Sequence, residues 1–165
     1  MVIPVHDLNP LRRTPWATYV LIALNVVVFL LIFGNNVEDR FRKIPYLLFY
    51  LACGYVAAYG FAVVYPGSAG PLIGASGAIS GVLGAYLALY PRARVWSLVP
   101  FLLFIPVRIP AWLVLGLWFV LQWVDSIGHA AAGGGVAYLA HVFGFVAGLL
   151  TGLAVRAASP AYRPA

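Results

Sequence analysis

Two side chains have the right types for acid–base chemistry in an apolar setting: Ser76 and His141. Ser76 lies in Gly74-Ala75-Ser76-Gly77, at the start of a glycine-studded apolar stretch. His141 lies in a second such stretch, Ala140-His141-Val142-Phe143-Gly144. A serine hydroxyl is a poor nucleophile until a base takes its proton. Histidine, with an ordinary pKa of about 6.5, is the usual base and can return the proton to a leaving amine. Together the pair points to hydrolysis within a membrane. Little else competes, because the chain has four acids, three histidines and one cysteine. Asp7, Glu38, Asp39 and Asp125 all fall outside the apolar runs, so a dyad is expected rather than a triad. An aromatic ring or a backbone group would then have to orient the imidazole. No His, Cys, Asp or Glu set has metal-ligand spacing, so no metal is expected.

Each residue also has a plainer reading. A serine in a membrane helix often bonds the preceding turn or a neighbouring helix. A histidine there can serve as interhelical glue or as a proton relay. A channel or transporter using His141 as a relay would lack an intramembrane acid partner. Ser80, one turn beyond Ser76, reads first as a packing or hydrogen-bonding residue and second as a lining of the site. His6 and His129 read as solvated, and Cys53 as a small packing residue.

Composition supplies the setting. The chain is 64% hydrophobic and 8% charged, with mean hydropathy +0.97. Soluble domains carry about a quarter charged residues, so lipid must be the solvent for much of this surface. The net charge of +6 is not a nucleic-acid signal, because the basic residues are scattered at the ends of apolar runs. A single cysteine allows no intramolecular disulfide. Arg12 and Arg13 precede an apolar run longer than that of a cleavable signal peptide.

Five apolar segments are readable: Trp16–Phe33, Pro45–Tyr65, Pro71–Tyr90, Pro110–Val124 and Val136–Val155. Each approaches the ~20 residues that cross a bilayer as a helix, the fourth being short. Ser97–Val107 is apolar too, but Pro100, Pro106 and Arg108 make it an interfacial or re-entrant segment rather than a sixth span. Turns are expected at Gly34-Asn35-Asn36, Pro66-Gly67-Ser68, Pro91-Arg92 and Gly133-Gly134-Gly135. The fold class is therefore all-α, a polytopic transmembrane bundle forming a single domain over residues 1–165.

Arg40, Arg42 and Lys43, then Arg92 and Arg94, then Arg156 and Arg163, mark the cytoplasmic side. The turns at Pro66–Gly70 and Asp125–Gly135 hold no Lys or Arg and face outward. Ser76 and His141 then lie in the outer half of the bilayer. The first segment conflicts with this scheme: Arg12 and Arg13 hold its start inside, while Arg40–Lys43 hold its end inside as well.

Gly74, Gly77, Gly81 and Gly84 recur at spacings of three and four, and Gly144, Gly148 and Gly152 at four. Such small faces let helix backbones approach closely in lipid. If the two faces meet, Ser76 and His141 come within hydrogen-bond range. The helix start at Ser76 adds N–H groups able to face an oxyanion.

Gly74-Ala75-Ser76-Gly77-Ala78-Ile79-Ser80-Gly81, followed by Ala140-His141 with Gly144 and Gly148, resembles the rhomboid family of intramembrane serine proteases. Phe33-Gly34-Asn35-Asn36-Val37-Glu38-Asp39 and Tyr90-Pro91-Arg92-Ala93-Arg94 are also similar to that family, and the likeness runs from Ile32 to about Gly152. The resemblance implies that Ser76 is the nucleophile and His141 the base. It implies cleavage of transmembrane protein substrates near the outer face, without a cofactor. It also implies an oxyanion site that uses the Ser76 N–H, with Gly74, Gly77 and Ser80 around it. The fourth segment would be the helix that gates lateral entry, and Asp125–Gly135 the cap over the site.

The chain departs from the family pattern at its start. The family has a first helix, a long outer loop and then a second helix carrying a His-x-x-x-Asn oxyanion pair. Here Trp16–Leu31 feeds directly into Ile32-Phe33-Gly34, so the first outer loop and part of the second core helix are absent. Asn25 falls close to the asparagine of that pair and is carried as an oxyanion candidate; the residue four before it is Leu21, not histidine. Two readings follow. One is an intramembrane serine endopeptidase slowed by the missing oxyanion pair. The other is a rhomboid-like protein that binds transmembrane helices without cleaving them. The loop charges fit a multi-pass protein of a bacterial-type inner membrane, with no nucleic-acid partner.

Overall fold

Prolines punctuate the apolar runs, and two helices begin beside one: Lys43–Val64 at Pro45 and Ala111–His129 at Pro110. The computed structural model describes residues 29–67, 72, 74–99, 105–129 and 137–158. A π-helical segment, Phe29–Gly34, leads into α1 (Asn35–Phe41) and α2 (Lys43–Val64). Then come α3 (Ser76–Leu89), strands β1 (Arg94–Val99) and β2 (Ile105–Pro110), α4 (Ala111–His129) and α5 (Tyr138–Ala158). Pro45 sits in the first turn of α2, where its missing N–H costs no intrahelical bond. Asn25, Leu21, Arg12, Arg13 and the Gly133–Gly135 turn lie outside the described residues.

The helical bundle matches the expected class. α2 and α5, with 22 and 21 residues, are long and apolar enough to cross a membrane. α3 is shorter at 14 residues, because it starts only at Ser76 and not at Pro71. α4 runs on to His129, past the expected end at Val124, so Asp125 stands within a helix.

Two local expectations are corrected. Gly34-Asn35-Asn36 is not a turn: Gly34 has helical backbone angles, and α1 starts at Asn35. The break falls instead at Arg42, whose φ is +69°. Where an interfacial or re-entrant segment was expected over Ser97–Val107, its described residues, 97–99 and 105–107, lie in two antiparallel strands, with Arg94 opposite Pro110 and Val99 opposite Ile105. Proline is tolerated in so short a sheet because both strands are edges. Arg108 lies over the ring of Trp96, its cross-strand partner, at 4.5 Å. Backbone bonds from Ala111 N–H to Ala93 O and from Trp112 N–H to Pro91 O close the hairpin onto the start of α4.

α2 shows how the chain divides core from exterior. Phe49, Cys53 and Ala57, four apart, are buried, while Leu47, Leu51, Tyr55, Tyr59 and Val63, also four apart, are exposed. An exposed apolar stripe of that length is what a lipid-facing helix presents. The buried stripe meets α3 in antiparallel register, Cys53 against Gly81 and Ala57 against Gly77.

α3 and α5 pack more closely still. A methyl group on Gly144 would overlap the carbonyl of Gly77, and one on Gly148 would overlap the carbonyl of Gly81. One on Gly152 would press on Ala85 and Ala88. The partners advance together by four residues, so the helices run parallel with one turn meeting one turn. Both therefore begin at the same end of the bundle. At the opposite end, Phe33 packs edge-on against Tyr86 with ring centroids 5.0 Å apart. There Tyr90 also donates its hydroxyl to the carbonyl of Asn36 at 3.1 Å.

Candidate active site

The parallel α3–α5 pair places two helix starts side by side, and each carries one of the two candidate side chains, Ser76 and His141. Ser76 is the first residue of α3. His141 lies in the first turn of α5, where its N–H reaches back to Ala137 O. Ser76 Oγ and His141 Nε2 are 2.9 Å apart. That is hydrogen-bond distance, the geometry a general base needs to take a hydroxyl proton. Ser76 is exposed and His141 half-buried, so the hydroxyl is open to a reactant while the imidazole is braced by its surroundings.

Backbone shape explains why Ser76 faces outward. Gly74 has φ +131°, a conformation side chains resist, and it turns the chain into α3. The first intrahelical bond there is Ile79 N–H to Ala75 O at 3.0 Å. The N–H groups at the very start of a helix have no acceptor within it and carry its positive dipole end. They are suited to an anionic oxygen. Gly77 is buried, and a methyl group there would strike Ala57, so closeness to α2 demands glycine at this position. Ser80 is buried and donates its hydroxyl to Ser76 O at 2.7 Å. This is a back-bond to the preceding turn, the first of the two roles expected for it.

The imidazole is held at its other nitrogen by a residue the sequence reading passed over. His141 Nδ1 is 2.7 Å from Oε1 of Gln122, on α4. The expectation that an aromatic ring or a backbone group would do this is corrected: a side-chain amide does. An aromatic group contributes as well, because Trp118 lies one turn before Gln122 with its ring 30° from the imidazole plane and centroids 6.2 Å apart. Tyr138 approaches the ring edge-on at 6.4 Å. A signal was available, since Gln122 is the only polar side chain between Ala111 and Val124 and the only glutamine in the chain. Its partner, however, is fixed only when α4 is placed against α5. No group of three or more His, Cys, Asp or Glu able to hold a metal occurs among the described residues.

Apolar helices packed through glycine, with a serine and a histidine hydrogen-bonded where two helices begin, define a membrane-type bundle with a serine–histidine pair. The sequence matches the Rhomboid domain over residues 18–158, most of the chain, and the protein belongs to the rhomboid family. That family is integral to membranes and comprises intramembrane proteases acting on transmembrane substrates. No curated protein and no solved structure matches the chain.

Proposed function

We propose that the protein is a multi-pass intramembrane serine endopeptidase of a bacterial inner membrane, cleaving peptide bonds of transmembrane proteins. The 2.9 Å contact between Ser76 Oγ and His141 Nε2 carries this reading. In the proposed reaction His141 Nε2 takes the hydroxyl proton as Ser76 Oγ bonds to the scissile carbonyl carbon. The carbonyl electron pair moves to oxygen, where the Ser76 N–H and its neighbours at the helix start meet it. Collapse of this intermediate breaks the C–N bond, and His141 returns the proton to the leaving amine. Water then repeats the cycle on the acyl-serine and restores both residues. Gly74 and Gly77 shape the backbone of the oxyanion site, with Ser80 beneath it and Asn25 as the remaining candidate donor.

A second reading has its own support. The residue four before Asn25 is Leu21, so the chain has no histidine to complete a His-x-x-x-Asn oxyanion pair there. Losing one oxyanion donor costs roughly 10²–10³ in rate, and such a protein could bind transmembrane helices without cutting them. Labelling of the purified protein by a fluorophosphonate separates the two. The endopeptidase labels at Ser76, and labelling disappears in Ser76→Ala and in His141→Ala. A folded wild type that never labels belongs to the silent, helix-binding class.

A further inference from the structure

The serine–histidine pair leaves Gln122 unexplained, although it makes the shortest contact to the imidazole. A neutral imidazole carries one N–H and one bare nitrogen, and its function depends on which is which. The carboxamide oxygen of Gln122 stands 2.7 Å from Nδ1. An acceptor there is satisfied only when the proton is on Nδ1. Nε2, 2.9 Å from Ser76 Oγ, is then bare and faces the hydroxyl. In the other tautomer the carboxamide must turn over to present its NH2 to Nδ1, and an N–H points at the nucleophile, where no proton can be accepted.

We propose that Gln122 is a positioning residue of the reaction, holding His141 in the one tautomer that can deprotonate Ser76. This rests on the endopeptidase reading above. The choice of an amide suits the site. A carboxylate would also accept from Nδ1, but a second ionisable group among apolar helices is costly. Glutamine supplies the oxygen dipole without a charge. Trp118, one turn earlier on the same helix, restrains the face of the ring while Gln122 restrains its edge. Ser80, on the nucleophile's own helix, is instead bonded to Ser76 O.

The test uses the full chain in lipid nanodiscs with ¹⁵N-labelled histidine, and compares wild type with Gln122→Met and Gln122→Glu. Methionine keeps the length and removes the carbonyl; glutamate keeps an oxygen acceptor. The His141 ring signals are assigned by their loss in His141→Ala, and cleavage of a transmembrane reporter is measured in parallel. Wild type should show a protonated Nδ1 and a bare Nε2. Gln122→Met should show mixed tautomers, with kcat lower by roughly 10–100-fold and KM within about 2-fold. Gln122→Glu should keep the wild-type tautomer and recover most of kcat. A Gln122→Met protein with the wild-type tautomer overturns the proposal, whether its kcat is full or reduced. So does a Gln122→Glu protein as slow as Gln122→Met. If nothing cleaves, wild type included, the endopeptidase reading fails by itself, and the ring signals still decide whether Gln122 sets the tautomer.

Discussion

α3 and α5 meet backbone to backbone, whereas α4 meets them through large side chains. Along α3–α5 the contact atoms are glycine carbons and main-chain carbonyls, at Gly77 with Gly144 and Gly81 with Gly148. On α4 the contacts are rings: Phe119 stacks on Phe145 at 4.7 Å and Trp118 lies 5.9 Å from the same ring. Much of the rest of α4, including Trp112, Leu117, Leu121 and Val124, is exposed. Main-chain atoms cannot repack by changing rotamer, and ring contacts can. The proposed nucleophile and base, Ser76 and His141, therefore sit on the stiffer pair of helices, while Gln122, which contacts the imidazole, comes from the more adaptable one.

The sharpest way to break this contrast is to add one carbon to the glycine seam. Gly148→Ala should destabilise the protein by about 3 kcal/mol, the upper end of the usual overpacking cost, because the new methyl group meets a backbone carbonyl that cannot swing aside. Thermal unfolding in detergent checks it, and a near-normal melting temperature would mean that α3 and α5 are not the rigid frame described. Fluorophosphonate labelling should fall with stability, since the same seam sets the distance from Ser76 to His141.

A smaller effect is expected at the far end of the same seam. Arg156 donates from Nη1 to Ala88 O at 3.0 Å, satisfying a carbonyl in the last turn of α3. The residue is exposed, so Arg156→Ala should cost only about 0.5 kcal/mol. The melting temperature should drop slightly with labelling unchanged. A large loss would show that the ends of the helices, and not only their glycines, hold the frame.

The smallest effect belongs to α4. A methyl group on Gly116 would meet nothing within 4 Å. Gly116→Ala should change stability by less than about 1 kcal/mol, in the stabilising direction, since alanine favours the helix. A cost comparable to that of Gly148→Ala would erase the distinction between the two regions.

How much of this was legible in the sequence differs from element to element. Glycines spaced by three and four in one apolar stretch and by four in the other foretold a close α3–α5 contact, because only small residues permit one and the spacing keeps them on one face. The juxtaposition of Ser76 and His141 follows from the same register. The hairpin was not legible: an apolar run broken by Pro100 and Pro106 reads equally as a re-entrant helix, and periodicity cannot separate the two over so few residues. The helical start at Asn35 was hidden by glycine and asparagine, residues that also favour turns.

The sequence by itself determined the solvent, the number and rough limits of the apolar segments, and the two side chains equipped for proton transfer. These depend on residue type and local spacing alone. Only the tertiary structure decided that α3 and α5 run in parallel register, that the Ser76 hydroxyl reaches Nε2, and that Gln122 holds Nδ1. Each of those depends on atoms distant in the chain, and no local preference specifies which helix comes to lie beside which.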